Sequence, residues 1–485
     1  MRVPGPVQAP AQRGNGVRAP LVSMEGERNV TMVEELARFA TSRRYEDLSK
    51  DAILQLKIRV IDTLGCALGA LAAPLMKVVR EVEGEFGGSK LCTMIGAGRG
   101  APDRATLYNG ALARYLDFND GYLAKGETCH PSDNLAPVLA ASEFADASGK
   151  ELLTALAVAY QVQCRLSEVA PVRNKGFDHT TQGAYAVAAG VTRALSLDAI
   201  KTANAIAISG TALNALRVTR TGNLSNWKGL AYPFTSFGAM EAVFLAAKGI
   251  TGPIEVFEGN KGFMDSISGR FEIDWRRENL EAVTRTIVKR YNAEIHSQSS
   301  IECVLALRAE SGISAEEVES IDLRVFDVAY NIIGGGEEGG KKSIQTKEEA
   351  DHSLPYIVSV ALLDGEVTPR QYMPERIARN DVQSLLRRVN VYPDEQLSSR
   401  FPTAMPCRVT VRLRDGRIIE RSADDYEGFF TRPMGWGGAV EKFHTLASKH
   451  VDERLRRKIA EAVERLEELE VDDLTSLLGR VKAPT

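Results

Sequence analysis

Apolar residues recur every three or four positions through much of the chain from Val33 to about Lys248, which is the period of an amphipathic helix. In DLSKDAILQLKIRVIDTLGCALGAL a Ser or Asp cap precedes Ile53, Leu54, Leu56, Ile58, Ile61 and Leu64, and the spacing predicts a core helix. ATLYNGALARYLDF, GKELLTALAVAYQVQCRLSEVA, TTQGAYAVAAGVTRAL, SLDAIKTANAIAISGTALNALRV and FTSFGAMEAVFLAAKGI repeat the pattern. They are rich in Ala and other small residues, which let helix axes approach closely and bury more than one face. Around Thr284 the texture changes, through AVTRTIVKRYNAEIH and SAEEVESIDLRVFDVAYNII to PCRVTVRLRDGRIIERSADDY. There Val409, Val411 and Leu413 alternate with Thr410, Arg412 and Arg414 before a turn at Asp415-Gly416, a hairpin signal. From about Gly435 the pattern is helical again and ends in the charged amphipathic VDERLRRKIAEAVERLEEL.

The expected fold is therefore mainly α with an α+β insertion. A large all-helical domain is drawn from 29–275 and 430–485, and a smaller α+β lid domain from 276–429. A length of 485 residues also favours two domains over one core. Residues 1–28, rich in Pro, Gly, Ala and Arg, read as a disordered extension. No apolar run of about 18 residues stands out, so no membrane span is expected. The expected location is cytoplasmic, with organellar targeting by the acid-poor extension left open; Met24 or Met32 would serve equally well as a start.

Charge narrows the partners. Sixty basic residues against 64 acidic ones give a formal charge of −4, which argues against a general nucleic-acid or membrane-surface binder. An anionic ligand would need a local basic patch. Six cysteines are scattered without a C-x-x-C or a His/Cys cluster of zinc spacing, so neither a disulfide framework nor a metal site is expected. GGGEEGGKKS, residues 334–343, looks like a phosphate loop, but Lys342 stands where the hydroxyl residue belongs and no strong helix follows. It reads as a mobile surface loop, and no cofactor is expected.

Four of the six histidines lie in polar segments: His130 in ETCHPSDN, His179 in GFDHTTQGA, His296 in NAEIHSQSS and His352 in EADHSLPY. Asp178 with His179, and Asp351 with His352, are also well placed to cap the helices that follow them. Asp117 and Asp120, three residues apart at the end of one helical stretch, can share a face, and the loop behind them can bring His130 alongside. Carboxylate plus imidazole suits proton transfer near neutral pH. In LRVTRTGNLSNWKG, Arg217 and Arg220 lie one turn apart before Gly222, and Trp227-Lys228 follows in a loop. These cations can bind carboxylates, although the two arginines also suit a helix C-terminus. Lys289 and Arg290, near His296, form a second basic patch.

LDFND with HPSDN, GFDHTTQGA, LRVTRTGNLSNWKG, AEIHSQSSIE and DHSLPYIVSVALLDG, in this order from about Val33 to Leu478, resemble the MmgE/PrpD family of 2-methylcitrate dehydratases, related to cis-aconitate decarboxylase. The resemblance implies a helical domain built from both ends of the chain, an α+β lid, a site between them, a homodimer, and catalysis without an iron-sulfur cluster. Asp117, His130, His179, Lys228, His296 and Tyr356 match the family's polar site positions. Gly121 departs from the decarboxylase relatives, which have threonine there.

The implied reaction is removal of water from 2-methylcitrate, or citrate, to give 2-methyl-cis-aconitate, in the 2-methylcitrate cycle of propionate catabolism. Lys228, with Arg217 and Arg220, would hold the developing charge. His130 or Tyr356 would be the acid, and Asp117 would orient the imidazole or act as base. His179, His296 and His352 would bind carboxylates. Decarboxylation of cis-aconitate, a polycarboxylate epimerase or isomerase, and a catalytically silent tricarboxylate binder are the alternatives.

Overall fold

In the computed structural model, residues 29–86, 88–222 and 224–484 are described, so the extension expected over 1–28 lies outside them. The chain is mainly helical with small sheets. Ser49 starts the first long helix, Lys50–Gly69, by accepting a hydrogen bond from the Ala52 amide. Ser148 caps Gly149–Val169 in the same way through Glu151. The small residues serve close packing: a Cβ added at Gly183 would lie 2.5 Å from the Tyr232 ring, and one at Gly190 would lie 2.9 Å from the Ala159 Cβ. The hairpin pairs Cys407–Leu413 with Ile418–Ala423 inside a four-stranded sheet. In that sheet Val318–Val325 pairs antiparallel with Cys407–Leu413 and parallel with Val389–Pro393.

Thr31–Thr485 forms one compact unit containing two large apolar cores. One core joins residues between Val33 and Val288 to residues between Met434 and Val481. The other is formed by Leu123 and residues between Ile287 and Phe429. The two assignments meet at Ile287 and Val288, and Leu123, beside the polar loop, already belongs to the second core.

Several local expectations change. The helix Trp227–Ala247 is long and apolar enough to cross a membrane by composition, contrary to the expectation that no such run exists; 56% of its most apolar window is buried within the protein. The same helix begins at Trp227, so Lys228 stands on its first turn and not in a loop. Arg217–Arg220 is a short 3₁₀ turn beyond the end of Ala199–Ala212, because the chain leaves helical geometry at Leu213. Asp117 lies past the helix Pro102–Tyr115 with φ +53°, so Asp117 and Asp120 do not share a helix face. The cap of Leu354–Asp364 is Ser353, which accepts from the Tyr356 amide, and this frees Asp351 and His352 from that role.

One buried ion pair ties the C-terminal part of the chain to this region. Lys442, on the helix Trp436–Ala447, lies 2.7 Å from Asp62 and donates to the carbonyls of Phe118 and Lys289 at 2.7 and 2.8 Å. Burial raises the Asp62 carboxyl above its ordinary value even beside this lysine. Lys442→Met should therefore destabilise the protein by about 3–5 kcal/mol, the usual cost of leaving one half of a buried pair. Chemical denaturation checks this, and adding Asp62→Asn should recover part of the loss. A single variant as stable as wild type would show that Lys442 does not hold this region together.

Candidate functional site

Residues 119–134 look like an exposed loop in sequence, yet most of them are buried. Tyr122–Ala124 and Glu127–Cys129 form a short hairpin, and Pro131–Asn134 is a 3₁₀ turn. Asn119 donates to Ser132 Oγ at 2.9 Å and to Asp133 Oδ1 at 2.8 Å. Asp120 accepts from the Ser132 amide at 3.0 Å and the Tyr160 hydroxyl at 2.9 Å. The Asn119 and Asp120 side chains thus have partners within the fold, as burial requires. Asp120 is structural, and the product of this scaffold is a fixed His130.

His130 borders a small cavity. The ring nitrogen Nδ1 is 2.7 Å from the Asp120 carbonyl oxygen, which can only accept, so Nδ1 carries the hydrogen and Nε2 of the neutral ring keeps its lone pair. Burial, reinforced by Arg114 and Lys289, lowers the His130 pKa well below its ordinary value. At neutral pH the ring is therefore neutral with an open Nε2 lone pair, which suits a base better than the acid role expected for it.

The same cavity is lined by His179, His296 and His352, by Arg114, Arg173, Arg217, Arg220 and Lys289, and by Asp117, Glu294 and Glu338, so cations outnumber carboxylates by five to three. His179 Nδ1 donates to Asp178 at 2.9 Å, and His296 Nδ1 donates to Glu294 at 2.7 Å. Both leave a buried Nε2 without a hydrogen-bond partner among the described residues. Burial lowers the His179 pKa, with Asp178 opposing. Asp178 also takes Arg220 Nε at 2.7 Å, and Arg217 lies 3.8 Å away. Burial alone would raise the Asp178 carboxyl, but Arg220 and His179 bring it well below the usual range. Glu294 is brought down to about 2, His296 overcoming burial.

Asp117 is held by Arg114 at 2.5 Å, Lys289 at 2.8 Å and Lys228 at 3.3 Å. Burial opposes ionisation, yet the three cations drive its pKa well below the ordinary value. A carboxylate so saturated is a poor base, and it does not orient His130, whose Nδ1 is taken by Asp120. Lys228 lies behind the lining, with its ammonium 3.0 Å from Asp351 Oδ1 and 2.9 Å from His352 Nδ1. Asp117, Asp351 and His352 would be spaced to hold a metal ion, but the Lys228 ammonium already contacts all three. A cation would have to displace the lysine, so this donor set does not fit a metal.

Of the residues singled out in the sequence, His130, His179, His296, His352, Asp117, Arg217, Arg220 and Lys289 line the cavity. Tyr356 does not, and its buried hydroxyl donates to the Gln371 carbonyl, which removes it as a candidate acid. Arg114, Arg173, Glu294 and Glu338 were missed. Arg114 had a signal: the one cation in the Ala-rich ALARYLDF, three residues before Asp117. Arg173, Glu294 and Glu338 belong to ordinary polar segments and had none.

The chain belongs to the MmgE/PrpD family, matching the MmgE/PrpD N-terminal domain over residues 34–276 and the C-terminal domain over residues 291–468. It is 27% identical over 472 residues to the 2-methylcitrate dehydratase of Escherichia coli strain K12, with 89% of this chain and 94% of that protein covered. It is 24% identical over 486 residues to the cis-aconitate decarboxylase of Mus musculus, with 94% of each covered. A mitochondrial 2-methylcitrate dehydratase of Yarrowia lipolytica is 25% identical over 347 residues, 67% of this chain and 66% of that protein.

Proposed function

We propose that this chain is a lyase that removes water from a hydroxylated tricarboxylate, 2-methylcitrate above all, to give 2-methyl-cis-aconitate. The observation that carries the reading is the His130 imidazole, engaged among the described residues only at Nδ1, in a cavity lined by five cationic side chains. A proton α to a carboxylate is weakly acidic. The base must act where fixed positive charge receives the electrons it leaves behind. In this reading His130 Nε2 takes that proton, and Arg173, Arg217, Arg220 and Lys289 hold the substrate carboxylates. His179 and His296, each backed by a carboxylate, orient them.

The leaving hydroxyl also needs a proton. His352 Nδ1 lies between Asp351 Oδ1 at 2.7 Å and the Lys228 ammonium at 2.9 Å; in the tautomer that accepts from Lys228, Nε2 carries the hydrogen it gives up, and Lys228 supplies a proton to Nδ1 in exchange. The apolar side chains of Ile295 and Ile332 on the lining offer a place for a methyl group. The α+β core supplies Glu294 to His296, Glu338 and His352, so it would act as the lid over a base supplied by the helical core.

Incubating the purified protein separately with 2-methylcitrate, citrate and cis-aconitate, while following alkene absorbance and carbon dioxide, tests this. The expected result is alkene from 2-methylcitrate with no carbon dioxide. Carbon dioxide from cis-aconitate, the reaction named for the mouse relative, would replace dehydration by decarboxylation. Binding without either product would make the chain a silent tricarboxylate binder.

A further inference from the structure

The glycine-rich segment 334–343 reads in sequence as a surface loop, but Glu338 turns inward from it and lines the cavity, while Glu337, Gly339 and Gly340 are exposed. Glu338 Oε1 is 2.5 Å from Arg217 Nη2. The three lining carboxylates differ in how firmly they are held. Asp117 is gripped by three cations, and Glu294 accepts from both the Nδ1 and the backbone amide of His296. Glu338 has one ion pair among the described residues, with Arg217.

Glycines occupy 334, 335, 336, 339 and 340. Gly335 and Gly339 have φ of +109° and +88°, and a Cβ at either would meet nothing, so their absent side chains serve backbone freedom rather than packing. The ends are anchored: the Gly336 amide donates to the Tyr330 carbonyl at 3.1 Å, and Ser353 Oγ donates to the Lys341 carbonyl at 2.6 Å. Between these points the Glu338 amide donates to the Asn331 carbonyl at 2.9 Å and the Gly339 amide to the Gly336 carbonyl at 3.0 Å, so the backbone stays in place and the Glu338 side chain swings out about its own bonds.

We propose that Glu338 is a positioning residue that occupies, on the Arg217 guanidinium, the place of a substrate carboxylate and leaves when the substrate arrives. Among the described residues the other anion beside Arg217 is Asp178, 3.8 Å away, which already binds Arg220 and His179. With Glu338 in place Arg217 is neutralised and fixed in orientation. With Glu338 displaced, five lining cations face two lining carboxylates and Asp178 behind them on Arg220, and the remaining positive charge suits a polycarboxylate ligand. A ligand with fewer carboxylates would repay less of the cost of breaking the Glu338 pair, so the loop favours three-carboxylate substrates.

This inference rests on the tricarboxylate reading of the site, and calorimetry with tricarballylate, which has no hydroxyl to lose, separates the two. Glu338→Gln should bind it about tenfold tighter than wild type, the scale of one lost charge-assisted competitor. Glu338→Asp, which keeps the charge, should bind it much as wild type does. In turnover, Glu338→Gln should lower KM and not raise kcat. Weaker binding by Glu338→Gln would mean that Glu338 contacts the substrate itself, and equal binding with a lower melting temperature would mean a purely structural role. Either result overturns the proposal. Absence of binding by wild type and variant alike would overturn the tricarboxylate reading beneath it.

Discussion

Replacing His130 by asparagine should lower kcat about 10²- to 10⁴-fold, the usual range for loss of a general base, with little change in KM. Asparagine keeps an N–H that can donate to the Asp120 carbonyl, so the hairpin and 3₁₀ turn around it should persist and the melting temperature should stay near wild type. The pH dependence provides a second readout. Burial, Arg114 and Lys289 all disfavour the imidazolium, so wild-type kcat/KM should fall on the acid side only below the ordinary histidine value of about 6.5. The variant should lose that limb. Wild-type turnover in His130→Asn would remove His130 from the chemistry.

Lys228→Met carries the second large effect, on rate and stability together. Methionine fills much of the lysine stem but leaves Asp117 and Asp351, buried carboxylates, without the ammonium 3.3 and 3.0 Å away. Breaking a buried pair costs about 3–5 kcal/mol, and loss of the proton source through His352 should reduce kcat by about 10²-fold or more. The two losses separate in assays run well below the variant's melting temperature.

The pH behaviour has a definite sign. Asp117 and Asp351 have folded pKa values below their unfolded ones, so they contribute stability at neutral pH that is lost as pH falls through the depressed values. Without Lys228 the depression shrinks. The variant should start less stable at pH 7 and lose less stability on acidification. A rate near wild type would remove Lys228 from the proton path, and an unchanged acid-unfolding curve would show that it does not hold these carboxylates ionised.

Much of the fold was legible because its signals are local. The helical period across Lys50–Gly69 and Gly149–Val169, with Ser49 and Ser148 as caps, and the alternation of Cys407–Leu413 depend on neighbours a few residues away. Four of the six histidines stood out because each lies in a short polar segment. Roles were less legible. His130 looked like an acid because sequence says nothing of the Asp120 carbonyl at Nδ1 or of the arginine and lysine that share its cavity. Tyr356 fell away because its hydroxyl proton is spent on Gln371, fifteen residues on. Glu338 was passed over because a glycine-rich loop carries no mark of the direction in which one side chain turns.

What the sequence determined by itself was the set of elements, the two textures behind the two cores, and the residue types able to move protons and bind carboxylates. The tertiary structure decided which of them meet. Asp117, Lys228, Lys289 and His352 lie up to 235 positions apart yet share one buried cluster of charge. Inside the protein the sign and strength of each group follow from burial and from its nearest charges, which is why the same aspartate can be read as a base in sequence and is a locked counterion in the fold.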